Sequence, residues 1–149
     1  MITAHIEQIT PALTWQLRRN ELYPDKDYLD MAMPEDTSGT HFGAFAENKL
    51  VGVVSLFHNG TDFYFREFAV SNSVSRQGIG KQLLAYMTNY AITEGATRLW
   101  CNVCISAKDF LCKSDFLPIG NVFEKDGKDY VKMERIFDFM RPEVSGRNT

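Results

Sequence analysis

Cysteine is scarce in this chain: three residues in 149, an odd number, which excludes a framework of paired disulfides and fits a reducing compartment. An excess of positive charge is also missing. Sixteen Lys and Arg stand against nineteen Asp and Glu for a formal net charge of −3, so the clustered basic surface that neutralises nucleic-acid phosphates is not available. No apolar run approaches the roughly 18 residues that cross a bilayer. The opening Met1-Ile2-Thr3-Ala4-His5 has no basic lead and no unbroken apolar stretch behind it, unlike a secretion signal. Internal repeats and low-complexity tracts are lacking too. The expectation is a soluble cytoplasmic protein with neither nucleic acid nor membrane as partner. What is present is apolar mass: 44 % hydrophobic and 13 % aromatic residues supply a core for one domain, expected over residues 1–142 with a polar tail at 143–149.

Cys101 and Cys104 form a C-x-x-C that could be half a zinc site or a redox pair. The surrounding Leu99-Trp100-Cys101-Asn102-Val103 reads as a strand, on which residues three apart point to opposite faces, and no second C-x-x-C or His pair completes a tetrahedral set. No metal site is expected. Cys112 reads as a packed helix residue.

Thr10-Pro11 is a helix start, and Leu13, Trp15 and Leu17 extend a first helix to about residue 21, where Pro24 stops it. A short second helix is expected around Tyr28–Met31, followed by a polar loop at 35–39 placed to cover a substrate site. From His41 the hydrophobic period becomes that of strands. Runs at 41–47, 50–58 and 62–70 are separated by Glu47-Asn48-Lys49 and by Asn59-Gly60, a strong hairpin signal. Ile79, Leu83, Met87 and Ala91 then recur at helical spacing up to Gly95. A strand at 98–103 follows this helix and is expected to lie parallel to the strand ending at Val70. A helix at 106–114 and a hairpin of 116–123 with 130–136 complete the chain. The order is mixed α/β, antiparallel at first, with one parallel pair in the middle.

The segment that carries chemistry is Ser75-Arg76-Gln77-Gly78-Ile79-Gly80-Lys81, between a strand and the best helix. A helix start offers unpaired N–H groups and the positive end of the macrodipole, and glycines let an anion approach the main chain. Arg76 and Lys81 flank it. A dinucleotide fingerprint wants a third glycine where Leu83 stands, and a P-loop wants Ser or Thr where Gln82 stands, so neither is satisfied.

These residues resemble the GNAT acetyltransferases, whose pattern Gln/Arg-x-x-Gly-x-Gly/Ala opens the third helix. Gly78-Ile79-Gly80 matches that pattern, Ser75 stands at its first position, and Glu67-Phe68-Ala69-Val70 resembles the family's cofactor strand. Downstream, 106–116 is similar to a helix that often ends Phe-Tyr-x-x-x-Gly-Phe, with Leu111 at the tyrosine position and Asp115 at the glycine. The likeness runs over about residues 41–136 and implies a GNAT-like α/β fold: a mostly antiparallel sheet of about six to seven strands, one parallel pair splayed, flanked by about four helices. It implies acetyl-CoA as cofactor, wedged between the splayed strands, with main-chain contacts from Phe68, Ala69 and Val70 and the diphosphate on Ser75, Arg76, Gln77, Gly78, Ile79, Gly80 and Lys81. The activity implied is N-acetylation of a small-molecule primary amine by direct attack in a ternary complex. A protein amine, a weakly catalytic acyl-CoA-binding module and a homodimer stay open.

Acetyl transfer to an amine needs a proton acceptor and donors for the developing oxyanion. Glu67 is the candidate base, with a structural ion pair to Arg66 or Arg98 as its other reading. The resemblance implies that the amides of Phe68 or Val70 would polarise the thioester oxygen. On a regular strand Arg66 points away from Glu67, and an Arg66 facing the cleft would suit an acceptor with a carboxylate or phosphate. His41 reads as a strand-end or core histidine, and with the tyrosine missing, solvent, Tyr130 or the modest basicity of a thiolate would make a dedicated acid unnecessary.

Overall fold

The computed structural model describes residues 2–137. The tail at 143–149 and the domain end at 142 lie outside the described residues. Seven strands, β1 (His5–Ile9), β2 (Thr40–Ala46), β3 (Lys49–Asn59), β4 (Asp62–Val70), β5 (Arg98–Cys104), β6 (Leu117–Lys125) and β7 (Lys128–Ile136), form one sheet in the order β1-β2-β3-β4-β5-β7-β6. Two tight turns show why the hairpins form where they do. Glu47 and Asn48 take φ of 52° and 64°, and Asp126 and Gly127 take 53° and 79°, the paired positive values that match the twist of flanking antiparallel strands.

Every neighbouring pair is antiparallel except β4 and β5. Those two pair only at Asp62↔Arg98, Phe63↔Leu99 and Tyr64↔Trp100, although β4 continues to Val70 and β5 to Cys104. The strands therefore part after Tyr64. The parallel pair is joined through α2 (Ile79–Thr93), which buries Ile79, Leu83, Leu84, Met87 and Ala91. Its partners on one face of the sheet include Phe42, Val54, Phe65, Leu99 and Met133. Burying each such side chain stabilises the fold by about 1.5–3 kcal/mol.

The other face is covered over β3 and β4 by the N-terminal helical segment, whose Leu17 packs with Val53 and Ala69. The single helix expected at 10–21 is instead a composite: a 3-10 turn Pro11–Thr14, a one-turn α1 (Trp15–Leu17) and a π turn Arg18–Leu22. Thr10 supplies no side-chain cap. The wide turn closes with the Tyr23 amide donating to the Arg18 carbonyl at 3.0 Å, and such insertions recur at functional sites. Two further 3-10 turns, Tyr28–Met31 and Pro34–Ser38, replace the expected second helix and polar loop. After β5, a 3-10 turn Ile105–Ala107 leads into α3 (Lys108–Cys112), so three α-helices and several 3-10 turns stand where about four helices were expected.

Asp115 has φ 72°, the left-handed backbone that explains a glycine at this position in the family pattern. Cys101 is buried in the core and Cys104 half-buried, consistent with opposite sides of β5, whereas Cys112 is exposed rather than packed.

Candidate active site

The loop from β4 to α2 is held by its own turns and by the N-terminus. Amides of Val74, Ser75 and Gln77 donate to the carbonyls of Ser71, Asn72 and Val74, and the Ile2 amide donates to the Gln77 carbonyl at 2.9 Å. Gln82, where a P-loop would need a hydroxyl, accepts from the Ala4 amide and donates to the Ile2 carbonyl. The loop is thereby fixed against the first residues of the chain.

Gly78 occupies the N-cap of α2 with φ 85°. The first rung of the helix runs from the Gln82 amide to the Gly78 carbonyl at 3.1 Å, so the amides of Gly78, Ile79, Gly80 and Lys81 lie ahead of the hydrogen-bond ladder. The expected donor set of 76–81 is thus narrowed, because the Gln77 amide is taken by Val74. A Cβ on Gly80 would stand 3.5 Å from Phe110, 3.6 Å from Phe68 and 3.7 Å from Val70, ordinary contact distances. Protein packing alone does not demand glycine there. Gly80 thus packs beside Phe68 and Val70 of β4 and Phe110 of α3. Ile79 is buried and anchors the turn, while Ser75, Arg76 and Lys81 are exposed at its rim and Ala69 is buried behind β4.

A second cluster sits where β4 deviates from regular geometry. Val53 faces Ala69 and Ser55 faces Arg66, so Glu67 and Phe68 together oppose Val54 in a β-bulge, with Glu67 at φ 57°. The bulge corrects the expectation that Arg66 and Glu67 point apart: Arg66 Nη2 lies 3.7 Å from Glu67 Oε2. The Tyr23 hydroxyl donates to the same oxygen at 3.4 Å. The Glu67 side chain is 6 % exposed, and its Oε1 is buried without a hydrogen-bond partner. Burial and then the Glu67 carboxylate push the Tyr23 phenol up to about 12, with the Tyr130 phenol adding to the rise. Arg98 is committed elsewhere, donating to Glu134 at 2.7 Å and Asp62 at 3.3 Å.

Arg66 also pairs with Glu35, carried on the Pro34–Ser38 turn. That turn is pinned from inside. Arg18, fully buried, donates to Asp36 Oδ1 and Oδ2 at 2.9 and 3.0 Å, to Ser55 at 2.9 Å and to the Met31 carbonyl at 2.9 Å. His41 bonds Ser55 through Nδ1 at 2.7 Å and the Asp36 carbonyl through Nε2 at 2.9 Å. A carbonyl can only accept, which assigns a proton to Nε2 and makes His41 a structural bridge. Burial raises the Asp36 carboxyl, but hydrogen bonds from Arg18 and the Met33 amide and the Arg18 charge outweigh it and hold the pKa below the usual carboxylate value.

Sequence reasoning reached Glu67, Arg66 and the loop but missed Tyr23 as a member of the site, since the contact spans 44 residues and depends on the π turn. On α3, Leu111 is buried in the core, and Phe110 lies 6.0 Å from Phe68. Tyr130 stacks on Phe123 at 6.0 Å and lies opposite Cys104.

The acetyltransferase (GNAT) domain family matches residues 20–137. No curated protein sequence matches the chain. Among solved structures, an IAA acetyltransferase from Bacillus cereus superposes with a TM-score of 0.72 at 19 % identity, covering 91 % of this chain and 100 % of its own. An acetyltransferase from Bacillus subtilis in complex with CoA has a TM-score of 0.71 at 21 % identity over 91 % and 99 %. A GNAT acetyltransferase from Elizabethkingia anophelis with acetyl-CoA bound has 0.70 at 19 % over 90 % and 98 %.

Proposed function

Because the chain belongs to the acetyltransferase (GNAT) domain family, and so to the acyltransferases whose cofactor is acetyl-CoA, we propose that it transfers the acetyl group to a small-molecule primary amine by direct attack within a ternary complex. The observation that carries this reading is the adjacency of two features: a helix start with four amides ahead of its ladder, and the end of β4, past the point where the parallel strand pair parts. Anion binding at such a helix start uses main chain and dipole together. The residues fit the cofactor: Gly78 and Gly80 leave the amides uncovered, Arg76 and Lys81 add charge at the rim, and the β4 edge at Phe68, Ala69 and Val70 has no strand partner on the β5 side. The structures with CoA and acetyl-CoA bound, although under 25 % identical, support the same reading.

When bound, acetyl-CoA supplies an acyl group activated as a thioester. The chain's own part is orientation and proton transfer. Glu67 accepts the proton of the acceptor amine through Oε1, the oxygen without a protein partner, while Tyr23 and Arg66 hold Oε2. The bulge is what brings the carboxylate beside Arg66 and Tyr23. With Leu111 in the core, a phenol at the tyrosine position of the family pattern is replaced here by Tyr130 or solvent as proton source for the departing thiolate.

Thiol release from acetyl-CoA, measured across an amine panel, tests the proposal. Glu67→Gln should lower the turnover number by about 10²-fold or more, the usual worth of a general base, and leave CoA affinity within about threefold. Tight CoA binding without amine-dependent thiol release would instead indicate a binding module.

A further inference from the structure

On the face of the sheet that carries Arg66, Tyr64 and Trp100, the half made by β5, β7 and β6 holds a cavity of about 510 Å³ lined by Asn102, Ile119, Gly120, Asn121, Phe123 and Lys132. Its rim is made by a second irregularity. Ile119 faces Lys132 and Phe123 faces Tyr130, so Gly120, Asn121 and Val122 on β6 oppose only Val131 on β7. The strand bulges outward, and Gly120 takes φ 73° to allow it.

The chemistry of the lining is specific. Ile119 and Phe123 give an apolar wall, Asn102 and Asn121 give amides, and Lys132 gives the positive charge. The Lys132 ammonium lies 4.5 Å from the centroid of the Trp100 ring, and no carboxylate among the described residues pairs with it. Arg66 is different. Its guanidinium is already paired with Glu35 and Glu67, so an acceptor's anionic group placed there would meet two carboxylates. Lys132 is therefore the cation that lines this cavity and is open to an anion.

The cavity and the Glu67 cluster are neighbours by register. Asn102 is paired with Lys132, and β5 separates β7 from β4, so Lys132 and Arg66 stand at least two strand spacings, roughly 10 Å, apart, and further where β4 and β5 splay. Tyr130, two residues before Lys132 on the same face, lies close enough to Tyr23 to raise its pKa. One acceptor can span both places, with its amine at Glu67 and its far end in the cavity.

We propose that this cavity is the acceptor-recognition pocket and that it selects zwitterionic amines: a primary amine joined through a short apolar segment to a carboxylate, which Lys132 receives with Asn102 and Asn121. The assignment rests on the acetyltransferase reading, and it replaces Arg66 with Lys132 as the residue that reads the acceptor's anion.

Two matched probe pairs test it: 6-aminohexanoate against hexylamine, and 7-aminoheptanoate against heptylamine. Binding to the CoA-saturated protein is followed by the Trp100 indole N–H resonance, since Lys132 covers that ring, in the wild type and in Lys132→Met, which keeps the aliphatic stem. At least one of the two acids should bind about 10- to 100-fold more tightly than its uncharged partner, and Lys132→Met should remove the difference. Acids that bind no better than their partners, or that keep their advantage in Lys132→Met, overturn the proposal. Thiol release with the same probes separates the two readings: amines turned over without acid preference refute the pocket alone, whereas acids bound in a Lys132-dependent way but never acetylated refute the acetyltransferase reading.

Discussion

Asp36→Asn is the substitution for which the structure gives the firmest magnitude. It keeps the side-chain volume and removes the charge that faces Arg18, which is 0 % exposed and bound in a two-pronged geometry at 2.9 and 3.0 Å. A guanidinium left buried without its counter-charge destabilises by about 3–5 kcal/mol. With a urea dependence of about 2 kcal/mol/M for a domain of this size, the unfolding midpoint at pH 7 should fall by about 1.5–2.5 M. The sign with pH follows from the depressed carboxyl. Asp36 contributes stability above its unfolded value of 3.8 and loses it as pH falls through the lower folded value, so the gap between wild type and variant should close in acid. Removing Arg18 as well, in Arg18→Met with Asp36→Asn, should recover at least half of the loss, because the two sites are directly coupled. Circular dichroism across urea series at pH 7 and pH 3 provides the readout. A midpoint shift below about 0.5 M at pH 7 would refute the view that this pair pins the Glu35 turn.

Other outcomes follow from the same coordinates. A thiol reagent under native conditions should modify Cys112 and Cys104 and spare Cys101, which is 2 % exposed and whose thiol burial pushes up to about 12, while hydrogen bonds from Ser106 lower Cys104; rapid reaction of all three would contradict the core assignment. Tyr23 has a folded pKa of about 12 against 10.0 unfolded, so its contribution to stability is intact below pH 10 and declines between pH 10 and about 12. Tyr23→Phe should flatten that decline in thermal melts; an identical decline would remove Tyr23 from the buried cluster.

The sheet was legible because its signals are local. Asn59-Gly60 and Asp126-Gly127 mark turns, and the runs between them alternate as strands do. The helix at Ile79–Thr93 was legible from Leu83, Met87 and Ala91, and the turn into it from its glycines. β1 was not, because His5–Ile9 is an edge strand with an irregular burial pattern, held by its pairing with β2 rather than by its own period. The bulge at Glu67 left no mark either: Phe-Arg-Glu-Phe reads as ordinary strand, and only the register of β3 against β4 shows that two residues oppose one. Tyr23 and Glu35 reach the cleft through a π turn and a buried Arg18–Asp36 pair, and contacts of that span are set by tertiary packing, not by neighbours in sequence.

The central claim is that main-chain amides at Gly78–Lys81 hold the cofactor's diphosphate, and calorimetry with two ligands on two variants tests it most directly. Gly78→Asn and Gly78→Asp both ask a side chain to adopt φ 85°, which these two residue types tolerate best, and differ by one negative charge. The account predicts that Gly78→Asp loses at least about tenfold more CoA affinity than Gly78→Asn, while both bind pantetheine, which lacks the diphosphate, equally. Equal CoA affinities for the two variants would contradict it.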